Sequence, residues 1–266
     1  RWIYQRGVAS PEAMTDVNKT LRAAVAETGL AMPASLEQLR RADDDTQKAL
    51  VRFARDGATV ETVLIPPWPD ASDGPDPEEE DEPFEGERVA PKRVTQCISS
   101  QVGCAMACVF CASGVAGLKR NLSAGEIVAQ VLLGRSALGP DEALRNVVLM
   151  GMGEPLHNYG NVERAVRLLI HRDGINLSSR RVTVSTSGLV PEIDRLGRDF
   201  NGHIGVAISL HAPDDAMRSE LMPINRRYPL AELLAALKRY PLPPRRRITI
   251  EYTMLRDVND GAKEAR

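Results

Sequence analysis

Residues 94–266 alternate between two hydrophobic periods. Runs at 94–98, 146–150, 181–185, 204–210 and 247–254 are short and carry Val, Ile and Leu, as strands do; the run at 146–150 is nearly all apolar, as in a strand buried on both faces. Between them apolar residues recur every three or four positions. Ile127, Val131 and Leu132 mark one such helix, and 162–170, 214–221 and 230–240 mark others. Ser123 and Glu126 open the first with a capping-box pattern, in which each side chain satisfies a free amide at the helix start. Five strands alternating with helices predict an α/β fold, a parallel sheet curled into a barrel or part of one. Right-handed crossovers then bring every strand's C-terminal end to the same rim.

Upstream the pattern is different. Residues 1–55 read mainly as helices of a small accessory domain. They hold an apolar patch at Trp2, Ile3 and Tyr4, a helix from Thr15 and Asp16 through Leu21 to Ala26, and a second helical stretch near 36–39. Residues 48–53 and 59–65 read as strands, the second β-branched and alternating. Glu61 sits in that strand, where a carboxylate is ordinarily a solvated face residue. Residues 66–92 contain seven prolines and little apolar content, and read as a disordered, solvated insertion. The divisions expected are a helical domain at 1–55, a linker strand with the insertion at 56–93, and a core at 94–266. Arg1 and Arg266 both fall where elements look cut, so the core is expected to be a fragment incomplete at its C-terminus.

Charge sharpens this picture. The chain's formal net charge is −2, yet residues 69–87 hold ten acidic side chains and no Lys or Arg. Removing those ten negative charges leaves the remainder at +8, a balance that suits an anionic partner such as RNA. No apolar run reaches the ~18–20 residues of a membrane span. All four cysteines lie between positions 97 and 111, too few and too close for a disulfide framework, and no apolar export signal is visible. A reducing cytoplasm is the natural setting.

The densest chemistry is Cys104-Ala-Met-Ala-Cys108-Val-Phe-Cys111. An iron–sulfur cubane normally takes four thiolates, so three leave one iron open to an exogenous ligand. Structural zinc usually closes its shell with ligands in two separated pairs; here no second Cys pair exists and the nearest His to the trio is His157. A zinc-bound RNA-binding module remains the alternative without catalysis. Polar motifs recur at the following strand ends: Gly151-Met-Gly153-Glu154-Pro155, Ser185-Thr-Ser-Gly188 and Ser209-Leu210-His211. Glycines let a backbone approach a ligand closely, and Glu154 would accept a hydrogen bond from an ammonium group. Ser185 and Ser209 suit ribose or carboxylate contacts; the alternative for each is turn-capping. A lone His such as His211 is more often structural, and Cys97 alone reads as a small buried hydrophobe.

The cysteine spacing resembles that of the radical S-adenosylmethionine (radical SAM) superfamily. With Cys97-Ile-Ser-Ser-Gln-Val-Gly-Cys104, Asn121-Leu122-Ser123, Gly151-Met-Gly-Glu-Pro-Leu156, Arg181-Val-Thr-Val-Ser-Thr-Ser-Gly188, Ile208-Ser-Leu-His-Ala-Pro213, Met222-Pro-Ile-Asn225 and Ile250-Glu-Tyr-Thr-Met-Leu255, the chain is similar to the RlmN/Cfr family of RNA methyltransferases. The resemblance implies a [4Fe–4S] cluster on Cys104, Cys108 and Cys111, with S-adenosyl-L-methionine (SAM) bound at Gly153, Glu154, Ser185, Ser209, Leu210 and His211. Met152 departs from the family's Gly-Gly-Glu-Pro segment. The implied activity is methylation of adenine C2 in 23S ribosomal RNA and possibly tRNA, with the N-terminal domain contacting RNA and a flavodoxin- or ferredoxin-type protein donating electrons. Methylation at C8, methylthiolation and activation of a partner protein are the competing radical SAM chemistries. In that family a methyl-carrying cysteine near the C-terminus forms an adduct with the base, and a second cysteine frees the product by forming a disulfide. By residue match Cys97 is the resolving cysteine and Glu61 the proton acceptor. No Cys follows Cys111, so the methyl carrier has no counterpart here.

Overall fold

The computed structural model describes residues 2–8, 10–27, 32–67 and 91–264; the acidic run at 69–87 lies outside them. Strands β1 (Ala34–Arg41), β2 (Gln47–Phe53), β3 (Thr59–Ile65), β4 (Lys92–Cys97), β5 (Glu142–Leu149), β6 (Val182–Thr186), β7 (Gly205–Ser209) and β8 (Thr249–Glu251) form one sheet, each beside its predecessor. β1 to β4 pair antiparallel, and β4 to β8 pair parallel. The α/β expectation is met: five parallel strands with helical crossovers form an incomplete barrel. Helix α1 is Trp2–Arg6 and α2 is Lys19–Glu27; the crossovers carry α3 (Ala124–Ser136), α4 (Tyr159–Ile170), α5 (Val190–Phe200), α6 (Asp215–Leu221) and α7 (Leu230–Arg239).

The helical reading of 1–55 needs correction. Two strands, β1 and β2, lie within residues 34–53 and extend the main sheet, and among the described residues of 1–55 only α1 and α2 are α-helices. The error at Leu36 and Leu39 has a physical cause. Leu36 pairs with Val51 but Gln38 pairs with Leu50, so Glu37 is an extra residue in a β-bulge. The bulge shifts the alternation by one, and Leu39 returns to the same face opposite Ala49. A three-residue apolar spacing that looks helical is therefore a bulged strand. Helix α2 also begins later than expected, with Asn18 Oδ1 accepting from Leu21 N (2.8 Å).

One hydrophobic core joins the strands to the helices, with Val51, Phe53, Val60, Ile127, Val147, Val184, Ile193 and Ile208 all at 2% exposure or less. The predicted capping box is present at α3: Ser123 Oγ accepts from Glu126 N, and Glu126 Oε2 accepts from Ser123 N. Such a cap contributes about 1 kcal/mol. Helix α3 is buried nearly all round, and its polar Gln130 explains how it is registered against the sheet. Gln130 Oε1 accepts from Ser99 N (2.9 Å), its Nε2 donates to Ser99 O (2.9 Å), and its carbonyl accepts from Gln96 Nε2 (2.7 Å). This clamp fixes the chain where β4 turns into the cysteine loop. Gln130→Leu leaves both backbone groups of Ser99 buried without partners, at ~1–3 kcal/mol each. Urea unfolding is expected to show a loss of about 2–6 kcal/mol; a loss below about 1 kcal/mol would show that the clamp does not hold this turn.

Candidate active site

The C-terminal ends of β4 to β7 converge on one cavity of about 200 Å³. Its walls include Cys104, Cys108, Cys111, Gly153, Glu154, Ser185, Ser209 and His211, residues drawn from four separate motifs of the sequence. A larger cavity of about 520 Å³ opens near the start of β5 and holds none of them. The smaller one is the chemically equipped site, because volume alone supplies no reactive group. Leu210 is not one of its walls. Its backbone instead ties β7 to β8, with Leu210 N donating to Glu251 O (3.0 Å) and Leu210 O accepting from Arg218 Nε (3.1 Å).

Local backbone shapes deliver the cysteines. Gly103 has φ +76°, and a Cβ there would lie 1.8 Å from the Gly117 carbonyl oxygen. The chain can therefore fold back, and Cys104 N donates to that carbonyl (3.2 Å). Ala107 sits at φ 53° between Cys104 and Cys108, an unusual conformation for a residue with a side chain. A single helical turn at Ala112–Val115 closes the loop after Cys111. Burial pushes the Cys104 and Cys108 thiols up, Cys108 to about 12, and neighbouring cysteines and Glu154 add to it. Thiolates in such an array are stable only beside a strong positive charge, and metal coordination removes thiol protons outright. Among the described residues no three His, Cys, Asp or Glu close on a point that would hold a single ion. Three thiols lining one cavity are the donor set that a cluster takes, each thiolate on its own iron.

Glu154 is buried and serves as a structural acceptor through one lone pair on each oxygen. Its Oε2 accepts from Ser187 N (2.7 Å) and its Oε1 from Leu156 N (3.0 Å), linking the loops after β5 and β6. Burial pushes its carboxyl up from the ordinary range, and the Ser187 contacts pull it back down. Gly153 stands at φ +100° against Gln101, whose Oε1 accepts from Glu154 N (2.8 Å). His211, at φ 58°, accepts at Nδ1 from Thr253 N (2.9 Å) and packs edge-on against Phe110, with ring centroids 5.0 Å apart. Burial holds its pKa below the usual histidine value.

Glu61 and Cys97 lie outside the cavity walls. Cys97 pairs with Val63 on β3 and with Val148 on β5, so its side chain shares a sheet face with theirs, and Glu61 follows two positions from Val63 on that face. The Glu61 carboxylate is half exposed and pairs with Lys48 (3.0 Å), a surface contact of little energy. Two site residues escaped the sequence. Glu251 lines the cavity and accepts from Ser185 Oγ (2.8 Å) and Ser209 Oγ (2.9 Å). Arg218 is fully buried and donates to Ser187 O, Ser209 O, Leu210 O and Asn225 Oδ1. Glu251 stood inside the motif at 250–255, but nothing there marked it as facing a ligand; Arg218 carried no signal at all.

A parallel α/β sheet with three loop thiols and polar groups over its C-terminal rim defines a radical SAM enzyme. The model of the Radical SAM superfamily matches residues 98–265. A dual-specificity RNA methyltransferase RlmN from Sorangium cellulosum is 59% identical, with all of this chain covering 71% of that protein, and one from Geobacter sulfurreducens is 48% identical, covering 66%. A crystal structure of a radical SAM methyltransferase from Sphaerobacter thermophilus superposes with a TM-score of 0.83 at 44% identity, over 99% of this chain and 71% of that one. The chain belongs to the RlmN family of the radical SAM superfamily, and it spans about two thirds to seven tenths of its relatives' length.

Burial, with the Glu251 charge adding to it, pushes the Cys97 thiol up to about 11, against a contact with the Met150 backbone. A raised thiol pKa leaves little thiolate until the pH climbs towards it. With Cys104, Cys108 and Cys111 replaced by Ser, iodoacetamide is expected to label Cys97 at pH 8.5 roughly tenfold or more slowly than free cysteine, the greater nucleophilicity of a high-pKa thiolate included. Labelling as fast as free cysteine, followed by mass spectrometry, would contradict a thiol held protonated by partial burial.

Proposed function

We propose that this chain is the cluster- and SAM-binding part of a radical SAM RNA methyltransferase that places a methyl group on C2 of adenine in 23S ribosomal RNA and tRNA. The observation that carries it is the convergence of Cys104, Cys108 and Cys111 with Glu154, Ser185, Ser209 and His211 on one cavity. The relatives' shared description as dual-specificity RNA methyltransferases supports the substrate.

The three thiolates would hold a [4Fe–4S] cluster, which supplies an electron and an open iron to SAM when bound. The chain's own residues then bind, orient and shelter. Gly151 and Gly153 let the loop after β5 pack against Ile98, Ser99 and Gln101 while lining the cavity, and Glu154, already held by two amides, offers its remaining lone pairs to the ammonium. Ser185, Ser209 and His211 line the side of the cavity formed by β6 and β7. Burial favours the neutral form of His211, and because Nδ1 accepts from Thr253 N its one ring proton is on Nε2. Cys97 is assigned as the resolving thiol and Glu61 as the proton acceptor for the ring hydrogen. Their shared sheet face beside the rim supports both roles, and Glu61 must leave Lys48 to act.

RNA is the partner that the +8 balance outside the acidic run favours. The adenine must leave its stack to reach a recessed site, at a cost of a few kcal/mol. We assign the accessory segment 1–55 to RNA contact and a flavodoxin- or ferredoxin-type protein to reduction of the cluster. No helix among the described residues is long and apolar enough to cross a membrane, and the reduced thiols suit a cytoplasmic location.

Anaerobic reconstitution is expected to give about four irons per chain, as one cubane requires, with 5′-deoxyadenosine released on reduction with SAM. Cys104→Ala is expected to abolish that release. Cleavage surviving the substitution, or stoichiometric zinc without iron, would overturn the assignment; full-length enzyme that leaves no 2-methyladenine in ribosomal RNA or tRNA would overturn the substrate.

A further inference from the structure

The parallel strands have a second rim, where they begin, and its sequence is basic. Lys92 and Arg93 open β4, Arg180 and Arg181 precede β6, and Arg245, Arg246 and Arg247 precede β8. The cavity of about 520 Å³ opens on this rim. Among the described residues that line it, four are arginines (Arg135, Arg145, Arg180 and Arg181), one is an acid, Glu142, and none is aromatic. Val147 of β5 pairs with Val182 of β6, so Arg145 and Arg180 stand two positions before a paired point on neighbouring strands. Glu142 is engaged locally: its Oε2 accepts from Gly139 N (2.8 Å) across the turn that leads into β5.

Such a wall suits a ligand with several negative charges. A guanidinium presents a planar fork of donors that matches the oxygens of a phosphate. A nucleobase would be held by stacking on a ring, and the described wall has none. The ligand that fits is a chain of phosphates, held without regard to its bases. The accessory segment borders the same cavity. Arg135 donates from Nη1 to Tyr4 O (2.8 Å) and from Nη2 to Gln5 O (3.2 Å), both in α1. Gln5 Nε2 in turn donates to Arg172 O (2.7 Å), in the turn between α4 and the cavity wall at Ile175. An RNA lying on α1 therefore meets this cavity next.

We propose that the cavity is an anchoring site for the sugar–phosphate backbone of the substrate RNA, with Arg145, Arg180 and Arg181 as its phosphate contacts. This rests on the reading that the chain acts on RNA, and it adds a contact at the end of the sheet opposite the cysteines. β5 is eight residues long, about 26 Å at the usual strand rise, so an RNA held at both rims is fixed in direction as well as position. Backbone contacts of this kind set register and orientation, and the base is chosen elsewhere. One competitor shares the rim: residues 69–87, with ten acids, precede β4, whose first residue Lys92 pairs with Glu142.

The test is the salt dependence of binding, followed by fluorescence anisotropy with a labelled, unmodified tRNA transcript and the full-length protein. Each phosphate contact contributes about 0.7–0.9 to the slope of log Kd against log salt. Replacing Arg145, Arg180 and Arg181 together by Gln is expected to lower that slope by about 2 and to weaken binding at low salt roughly tenfold or more, with a transcript of unrelated sequence affected equally. Arg180→Gln alone is expected to lower the slope by about 1, which keeps the test decisive if the triple variant does not fold. An unchanged slope would overturn the site. A slope that responds to the arginines only after the ten acids of 69–87 are exchanged for Asn and Gln would give the cavity to the chain's own acidic run, and would overturn it too. Wild type that binds no RNA would overturn the RNA reading itself, a result distinct from an unchanged slope.

Discussion

The rim of a parallel sheet is a hard place to build, because each strand ends with backbone groups that its neighbours no longer pair. Water satisfies them in an open loop; a recessed site must supply partners from protein. Here two buried charges of opposite sign do so. Glu154 collects amide protons from the loops after β5 and β6. Arg218 collects carbonyl oxygens at Ser187, Ser209 and Leu210, and is anchored by Asn225 Oδ1 (2.8 Å). Burying either alone without partners costs several kcal/mol, so each is stable only while the rim keeps its shape. The shape in turn places the thiols, serines and histidine around one cavity.

That economy explains why the site's chemistry and its architecture share residues. Glu154 is at once the tie between two loops and the acceptor offered to the cofactor. His211 holds the segment after β8 through Thr253 N, and its own carbonyl accepts from the buried Asn259 (2.8 Å). The Ser99 hydroxyl donates to Glu61 O (2.7 Å) and accepts from Met152 N (2.9 Å), so it ties β3, the turn before the cysteine loop and the glycine loop together. A cofactor bound at such a rim meets positions already fixed by the fold, and little of its binding energy is lost in ordering them.

Much of this was legible in the sequence because the relevant signals are local. The cysteine spacing, the glycines at 151 and 153, the capping box at Ser123 and the short apolar runs each depend on a few neighbouring residues, and all appear in the fold where expected. What failed was non-local. The bulge at Glu37 turned a strand's apolar positions into a helical spacing. Glu251 gains its meaning only from the register of β6, β7 and β8, and Arg218 only from carbonyls 8 to 31 positions away in the chain. Charged residues inside a helix or strand are ordinarily solvated, and burial that reverses this expectation cannot be seen without the tertiary structure.

The account stands on an iron left open by three protein thiolates. Electron paramagnetic resonance of the reduced, anaerobically reconstituted protein, recorded before and after SAM is added, tests it most directly. A fourth-ligand position open to the cofactor predicts a [4Fe–4S]⁺ signal whose g-values shift on addition. A signal that SAM leaves unchanged would mean that the iron is already closed, and would contradict the reading of Cys104, Cys108 and Cys111.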